Sequence, residues 1–170
     1  NAKRKAILII PGGAYWMNSD TEADPIAHYY LSMGFNAFTL RYSTGRGVDS
    51  VWPKPLLEAS AAMKFIRDHA EEFHIDPKRV ACVGFSAGGH LAGSAGILWN
   101  IPEVRDAIGV TDGSAPEGIN RPNGIILCYA VITAGEYTHA KSIQNIAGRL
   151  DYDENDVERF SLELHVNENS

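Results

Sequence analysis

Two hydrophobic periods alternate along the chain. Apolar, β-leaning runs at residues 6–10, 35–42, 79–83 and 124–131 have the length of buried strands. Between them the spacing changes to three and four residues. Residues 55–73 read as the clearest helix, with Leu56, Ala59, Met63, Ile66, Ala70 and Phe73 on one stripe. Residues 21–33 form a second, with Ala23, Ile26, Ala27, Tyr30 and Leu31 on one face and Gly34 as its stop. A small-residue helix is expected from residue 87 to about residue 99, and short polar-faced helices at 137–150 and 153–160. Residues 43–52 read as a polar loop, 76–78 as a turn, and 102–123 as mostly loop.

Strands that alternate with helices predict an α/β fold, with a mainly parallel sheet, right-handed crossovers and helices on both faces. Ligands of such sheets sit at the carboxyl ends of the strands. Two glycine-rich turns, at 11–14 and 84–89, follow strands directly. They are expected to meet over one site although more than 70 residues separate them.

Composition narrows the classes of function. The chain has 170 residues, 45% hydrophobic and 21% charged, which suits one globular domain, with 133–165 as a helical insertion. The net charge is -6 and the pI about 5.5, and the basic residues are scattered, so nucleic acid is not an expected partner. No apolar stretch approaches the roughly 20 residues of a membrane helix. No signal peptide is visible in this chain, which slightly favours the cytoplasm, and a removed leader keeps the compartment open. Cys82 and Cys128 lack metal or redox spacing and are expected in buried strands. No cofactor and no metal are expected.

Chemistry concentrates in Gly84-Phe85-Ser86-Ala87-Gly88. This is G-x-S-x-G between a strand and a helix, the context of a nucleophile elbow. Side chains two before and two after the serine would collide with backbone, so glycine fits both places. Ser86 is the candidate nucleophile, and the N–H of Ala87 points to where an oxyanion would form. Pro11-Gly12-Gly13-Ala14-Tyr15-Trp16 follows the first strand. Its Gly-Gly pair is suited to offering backbone N–H groups, which makes Gly13 and Ala14 candidate oxyanion donors with Ala87. Tyr15 and Trp16 either line the substrate pocket or pack at the loop base.

On these motifs the chain resembles the α/β-hydrolase superfamily, in particular esterases and lipases with an HGGG-type oxyanion loop. It is most similar to the branch that contains acetyl xylan esterases and related carbohydrate deacetylases. The resemblance covers nearly the whole chain and is most specific from Ala61 to Ala92. It implies a three-layer fold, Ser86 as nucleophile, and oxyanion donors at Gly13, Ala14 and Ala87. It also implies hydrolysis of short-chain acyl esters, plausibly acetyl groups on a small-molecule or carbohydrate substrate, without a cofactor. Pro11 stands where the family has His, and Ala14 where it has a third Gly, and neither change removes a donor N–H.

The family order is Ser, then an acid, then His. His90 is structural by the resemblance, His139 lies in a polar insertion of the kind that is usually solvated, and His165 lies in a segment the family does not use for catalysis. The expectation is therefore a fold incomplete at both ends, part of a longer hydrolase, with an open sheet edge prone to self-association. A catalytically inactive remnant or binding module, and a serine peptidase or lipase, remain alternative readings.

Overall fold

The computed structural model describes residues 2–47 and 49–168. Strand β1 (Arg4–Ile10) pairs with β2 (Asn36–Thr39) on one side and with β3 (Ile75–Phe85) on the other. Strand β4 (Ile125–Cys128) pairs with β3, giving the order β2-β1-β3-β4 with every pairing parallel. Ile7 lies opposite Ala37 and Ala81, and Val83 opposite Ile126.

The strand period of two sorts the side chains between two cores. Ala6, Leu8, Ile10, Val80 and Cys82 face the larger one. It is covered by α2 (Lys54–Asp68), α3 (Ala87–Ile97), α4 (Pro102–Ala107), α5 (Ala140–Ala147) and α6 (Glu154–Phe160). Ile7, Ile9, Val83 and Phe85 face the other side, where Ile26, Ala27 and Tyr30 of α1 (Asp24–Ser32) pack on them. Helices thus lie on both faces of a parallel sheet, as the pattern predicts.

Several boundaries differ from the sequence expectation, each for a local reason. The helix expected at 21–33 divides into a 3-10 turn (Asp20–Glu22) and α1. Pro25 has no N–H to give Thr21, so a helix begun at residue 21 cannot run through it. Leu31 is 48% exposed, because Ile26, Ala27 and Tyr30 alone cover the sheet. The turn at 76–78 exists, but as a bulge inside β3. Arg4 pairs with Ile75 and Ala6 already with Val80, so the residues between are displaced from the ladder. The strand expected to reach residue 131 ends at Cys128, where Tyr129 turns the chain at φ 38°. Cys82 is buried, and Cys128 is only half-buried. The helix expected at 55–73 ends at Asp68, and α4 occupies part of the expected loop.

The loop after α4 packs Ile108, Val110 and Ile119 on the larger core, and Arg67 of α2 fixes its course. Its guanidinium donates to the carbonyls of Pro77 (3.0 Å), Ile119 (2.6 Å) and Arg121 (2.7 Å), and to Asn123 Oδ1 (3.0 Å). Asn123 also accepts from Val80 N–H at 2.9 Å, which joins the loop to β3. A second clamp lies deeper. His90 of α3 is buried, and its Nε2–H donates to the Phe160 carbonyl at 2.9 Å. A carbonyl can only accept, so Nδ1 is the unprotonated nitrogen and accepts the Tyr15 hydroxyl at 2.7 Å. One neutral ring therefore joins the loop after β1, helix α3 and the end of α6. Burial pushes its pKa down to about 4, outweighing the Phe160 hydrogen bond and the Glu163 charge, which both act upward.

Two stability outcomes follow. Arg67→Ala should lower unfolding stability by about 3 kcal/mol, since four acceptors lose a charged donor, and Arg67→Lys should recover only part of it. Urea midpoints at constant pH check this. For His90 the folded pKa lies below the unfolded value near 6.5, so the unfolded chain binds the extra proton between the two. The His90 contribution is complete above pH 6.5 and is lost as pH falls towards 4, by roughly 3 kcal/mol. The difference in urea midpoint between the parent and His90→Gln should shrink over that window.

Candidate active site

Strand β3 passes into α3 through one residue, Ser86, at φ 52° and ψ -118°. A non-glycine residue in such a region costs on the order of 1–3 kcal/mol and persists only where its surroundings impose it. Three hydrogen bonds do so. Ser86 N–H donates to Cys128 O (3.0 Å), and Ser86 O accepts from His90 N–H (3.1 Å) and Val131 N–H (3.2 Å). Glycine is required on both sides, as the spacing predicts. A Cβ on Gly84 would strike the Gly88 carbonyl, and one on Gly88 would strike the carbonyls of Ile10 and Pro11. From residue 82 to residue 96, Ser86 alone is not fully buried.

The same packing brings the end of β1 to the serine. A Cβ on Gly12 would lie 3.1 Å from Ser86 Cβ and 2.8 Å from Phe85 O. Gly13, Ala14 and Tyr15 then follow at φ 124°, 53° and 56°. Their carbonyls are engaged. Gly13 O accepts from Trp16 N–H and Met17 N–H, Ala14 O from Asn145 Nδ2, and Tyr15 O from Gly45 N–H. Among the described residues, the N–H groups of Gly13, Ala14 and Ala87 donate no hydrogen bond. Successive N–H groups on such a backbone form a concavity suited to an anion.

Ser86 opens onto a cavity of about 340 Å³ that also touches Tyr129, Val131, Thr133, Tyr137 and His139. A more open hollow of about 470 Å³ lies away from the serine, between Lys64 and Asp112. Within it Lys64 pairs with Asp68 at 2.5 Å and Ser114 Oγ bonds Gly109 O. The smaller cavity is the one that holds the candidate nucleophile. Among the described residues no cluster of three His, Cys, Asp or Glu could hold a metal, and no helix is long and apolar enough to cross a membrane.

The two aromatic candidates separate. Tyr15 does not line the cavity. It is fully buried, packs edge-on against Tyr42 and His90, and gives its hydroxyl to His90. Burial raises its pKa well above the ordinary phenol value. It is the packing residue at the loop base. Trp16 points outward at 46% exposure, with Arg46 and Lys141 each within 6 Å of its ring centre.

No described histidine ring is hydrogen-bonded to the Ser86 hydroxyl. His90 has both ring nitrogens occupied. His139 borders the cavity, but its Nδ1 pairs with Ser142 Oγ at 2.9 Å. His165 Nε2 donates to Glu158 O. Two residues at the site escaped the sequence reading. Glu22 accepts from Gly12 N–H at 2.8 Å, and Tyr129 Oη–H donates to Glu22 Oε1 at 2.6 Å. Neither falls in a local motif, and both depend on strand pairing to arrive there.

Known proteins resemble this chain in sequence and in fold. The BD-FAE family model matches residues 1–146. Endo-1,4-beta-xylanase B of Butyrivibrio fibrisolvens is 38% identical over 176 residues, covering 100% of this chain and 26% of that protein. Acetylxylan esterase of Xylanibacter ruminicola is 30% identical over 154 residues, covering 89% of this chain and 28% of that one. The crystal structure of an acetyl ester-xyloside bifunctional hydrolase from Caldicellulosiruptor lactoaceticus superposes with a TM-score of 0.80 at 29% identity. That match covers 98% of this chain and 58% of the hydrolase. The chain spans about a quarter of the length of these curated relatives. It belongs to the BD-FAE family and is built on the α/β-hydrolase fold.

Proposed function

We propose that Ser86 is the nucleophile of a carboxylic ester hydrolase for short-chain acyl esters, with acetyl groups on a carbohydrate as the substrate class. The observation that carries this reading is the strained, partly buried Ser86 at a cavity mouth, with Gly12 packed beside it and unbonded N–H groups at Gly13, Ala14 and Ala87. The acetylxylan esterase and the acetyl ester-xyloside hydrolase among the similar proteins support the acetyl and sugar parts of it.

In this mechanism a general base takes the Ser86 hydroxyl proton as Oγ attacks the ester carbonyl. The carbonyl oxygen becomes an oxyanion bound by the three N–H groups, the alcohol leaves with the proton, and water then cleaves the acyl-serine. The donors are fixed before reaction because every neighbouring carbonyl is already bonded, so little reorganisation opposes the charge. Serine acyl transfer of this kind uses no cofactor. Trp16 is the proposed contact for the alcohol portion, since an exposed indole offers a flat apolar face.

A second reading, a non-catalytic binding module on the same fold, is favoured by one observation. Among the described residues no side chain hydrogen-bonds Ser86 Oγ. The two readings separate on one variant. In the native protein, Ser86→Ala should abolish adduct formation with a fluorophosphonate and cut aryl acetate hydrolysis by at least about 10³-fold. Intact-mass spectrometry and initial rates check it, and a parent that takes no adduct selects the binding module.

We also propose that the 170-residue chain by itself associates through β4. Ile125, Ile126 and Leu127 are 37%, 44% and 44% exposed on that edge strand. Light scattering on the isolated chain should give a mass that rises with concentration, and Ile126→Lys should hold it nearer the monomer.

A further inference from the structure

The loop that offers Gly13 and Ala14 is short and runs through three successive left-handed residues. Such a backbone needs an external anchor, because its own N–H groups are left unbonded. Gly12, at the head of the loop, is held on every polar atom. Its N–H donates to Glu22 Oε2 at 2.8 Å, and its carbonyl accepts from Ser19 N–H at 2.9 Å. Its Cα side is pressed on Phe85 O and Ser86 Cβ, where no side chain fits. The Pro11–Gly12 peptide is therefore oriented by the Glu22 carboxylate, and the next peptide, which carries the Gly13 N–H, by Ser19 N–H on the Gly12 carbonyl.

Glu22 is itself fixed. It is half-buried in the 3-10 turn Asp20–Glu22, and its second oxygen accepts the Tyr129 hydroxyl at 2.6 Å. Tyr129 follows β4 directly and takes φ 38°, an outlier for a bulky side chain. Its ring lies against Phe85, the residue before Ser86, at 5.9 Å. The carboxylate draws the phenol pKa up to about 12, so the hydroxyl keeps its proton for this bond at any working pH. A strained tyrosine whose hydroxyl ends on a carboxylate, whose other oxygen ends on Gly12, makes a continuous brace. It runs from the end of β4, through Glu22, to the end of β1.

We infer that Glu22 is a positioning residue that sets the oxyanion loop against Ser86 through the Gly12 N–H, with Tyr129 holding the carboxylate in place. This rests on the ester-hydrolase reading above. Glu22 touches no reacting atom. It acts by fixing the Pro11–Gly12 peptide, from which the peptide that carries the Gly13 N–H continues. A Gln at this position can still accept from Gly12 N–H and donate to the Tyr129 oxygen, whereas an Ala can do neither.

The test uses the native protein with Glu22→Ala, Glu22→Gln and Tyr129→Phe, beside Ser86→Ala as control. Two readouts are taken: Gly12 amide hydrogen exchange by NMR, and kcat and KM on an aryl acetate. Glu22→Ala should speed Gly12 exchange by about tenfold, the scale of one lost hydrogen bond. It should lower kcat by about 10–100-fold with KM changed less than about threefold, short of the roughly 10²–10³ seen when an oxyanion donor itself is removed. Glu22→Gln should restore kcat to within about fivefold of the parent, and Tyr129→Phe should fall between the two. Unchanged Gly12 exchange in Glu22→Ala overturns the inference. So does faster exchange with an unaltered kcat, or a Glu22→Gln as impaired as Glu22→Ala. If the parent's hydrolysis survives Ser86→Ala, the esterase reading has failed instead, and the exchange measurement still decides whether Glu22 holds Gly12.

Discussion

Backbone meets backbone where the first turn of α3 crosses the end of β1, and the site depends on that contact. The Gly88 Cα faces the carbonyls of Ile10 and Pro11 with no room for a side chain. Because α3 sits this low, Ser86 must turn out of the strand at once, which is why it occupies φ 52°. The same proximity sets Gly12 beside Ser86. Strain at the serine, closeness of the loop and the glycine pattern are thus one geometric condition seen from three residues.

Polar groups from distant parts of the chain then hold that arrangement. His90, four residues past the serine, reaches back to Tyr15 and forward to Phe160. Asn145 of α5 bonds the Ala14 carbonyl, and Glu22 takes the Gly12 N–H. Each ties a different element to one loop of a few residues. Apolar packing orients the sheet and its helices, but it does not by itself fix peptide-plane directions, because it is non-directional. Directional bonds do that, and here they arrive from α3, α5 and the turn before α1.

What the amino-acid pattern made legible was whatever sterics decide locally. Gly84 and Gly88 announce the elbow because only glycine survives there, and the strand-to-helix switch around Ser86 supplies its context. The stripe Leu56–Ala59–Met63–Ile66 finds α2 because burial repeats with the helical period. Tyr15 was ambiguous for a physical reason: an aromatic after a glycine turn can face in or out. Only the buried His90 acceptor decides that it faces in. Glu22 and Tyr129 could not be read at all, since they are 107 positions apart and meet only once β1, β3 and β4 are in register. The α1 boundary failed because the periodicity of 21–33 ignores what Pro25 forbids.

The Arg67 clamp bears on how this chain can change over evolutionary time. Three of its four acceptors are main-chain oxygens, of Pro77, Ile119 and Arg121. An oxygen of that kind is present whatever residue carries it. At Ile119 and Arg121 the stretch between α4 and β4 is therefore gripped through its backbone, beside the apolar anchors Ile108, Val110 and Ile119. Its exposed positions, such as Thr111 and Pro116, are left open to drift and to new surface chemistry, while Arg67 and Asn123 keep its course and the start of β4 in place.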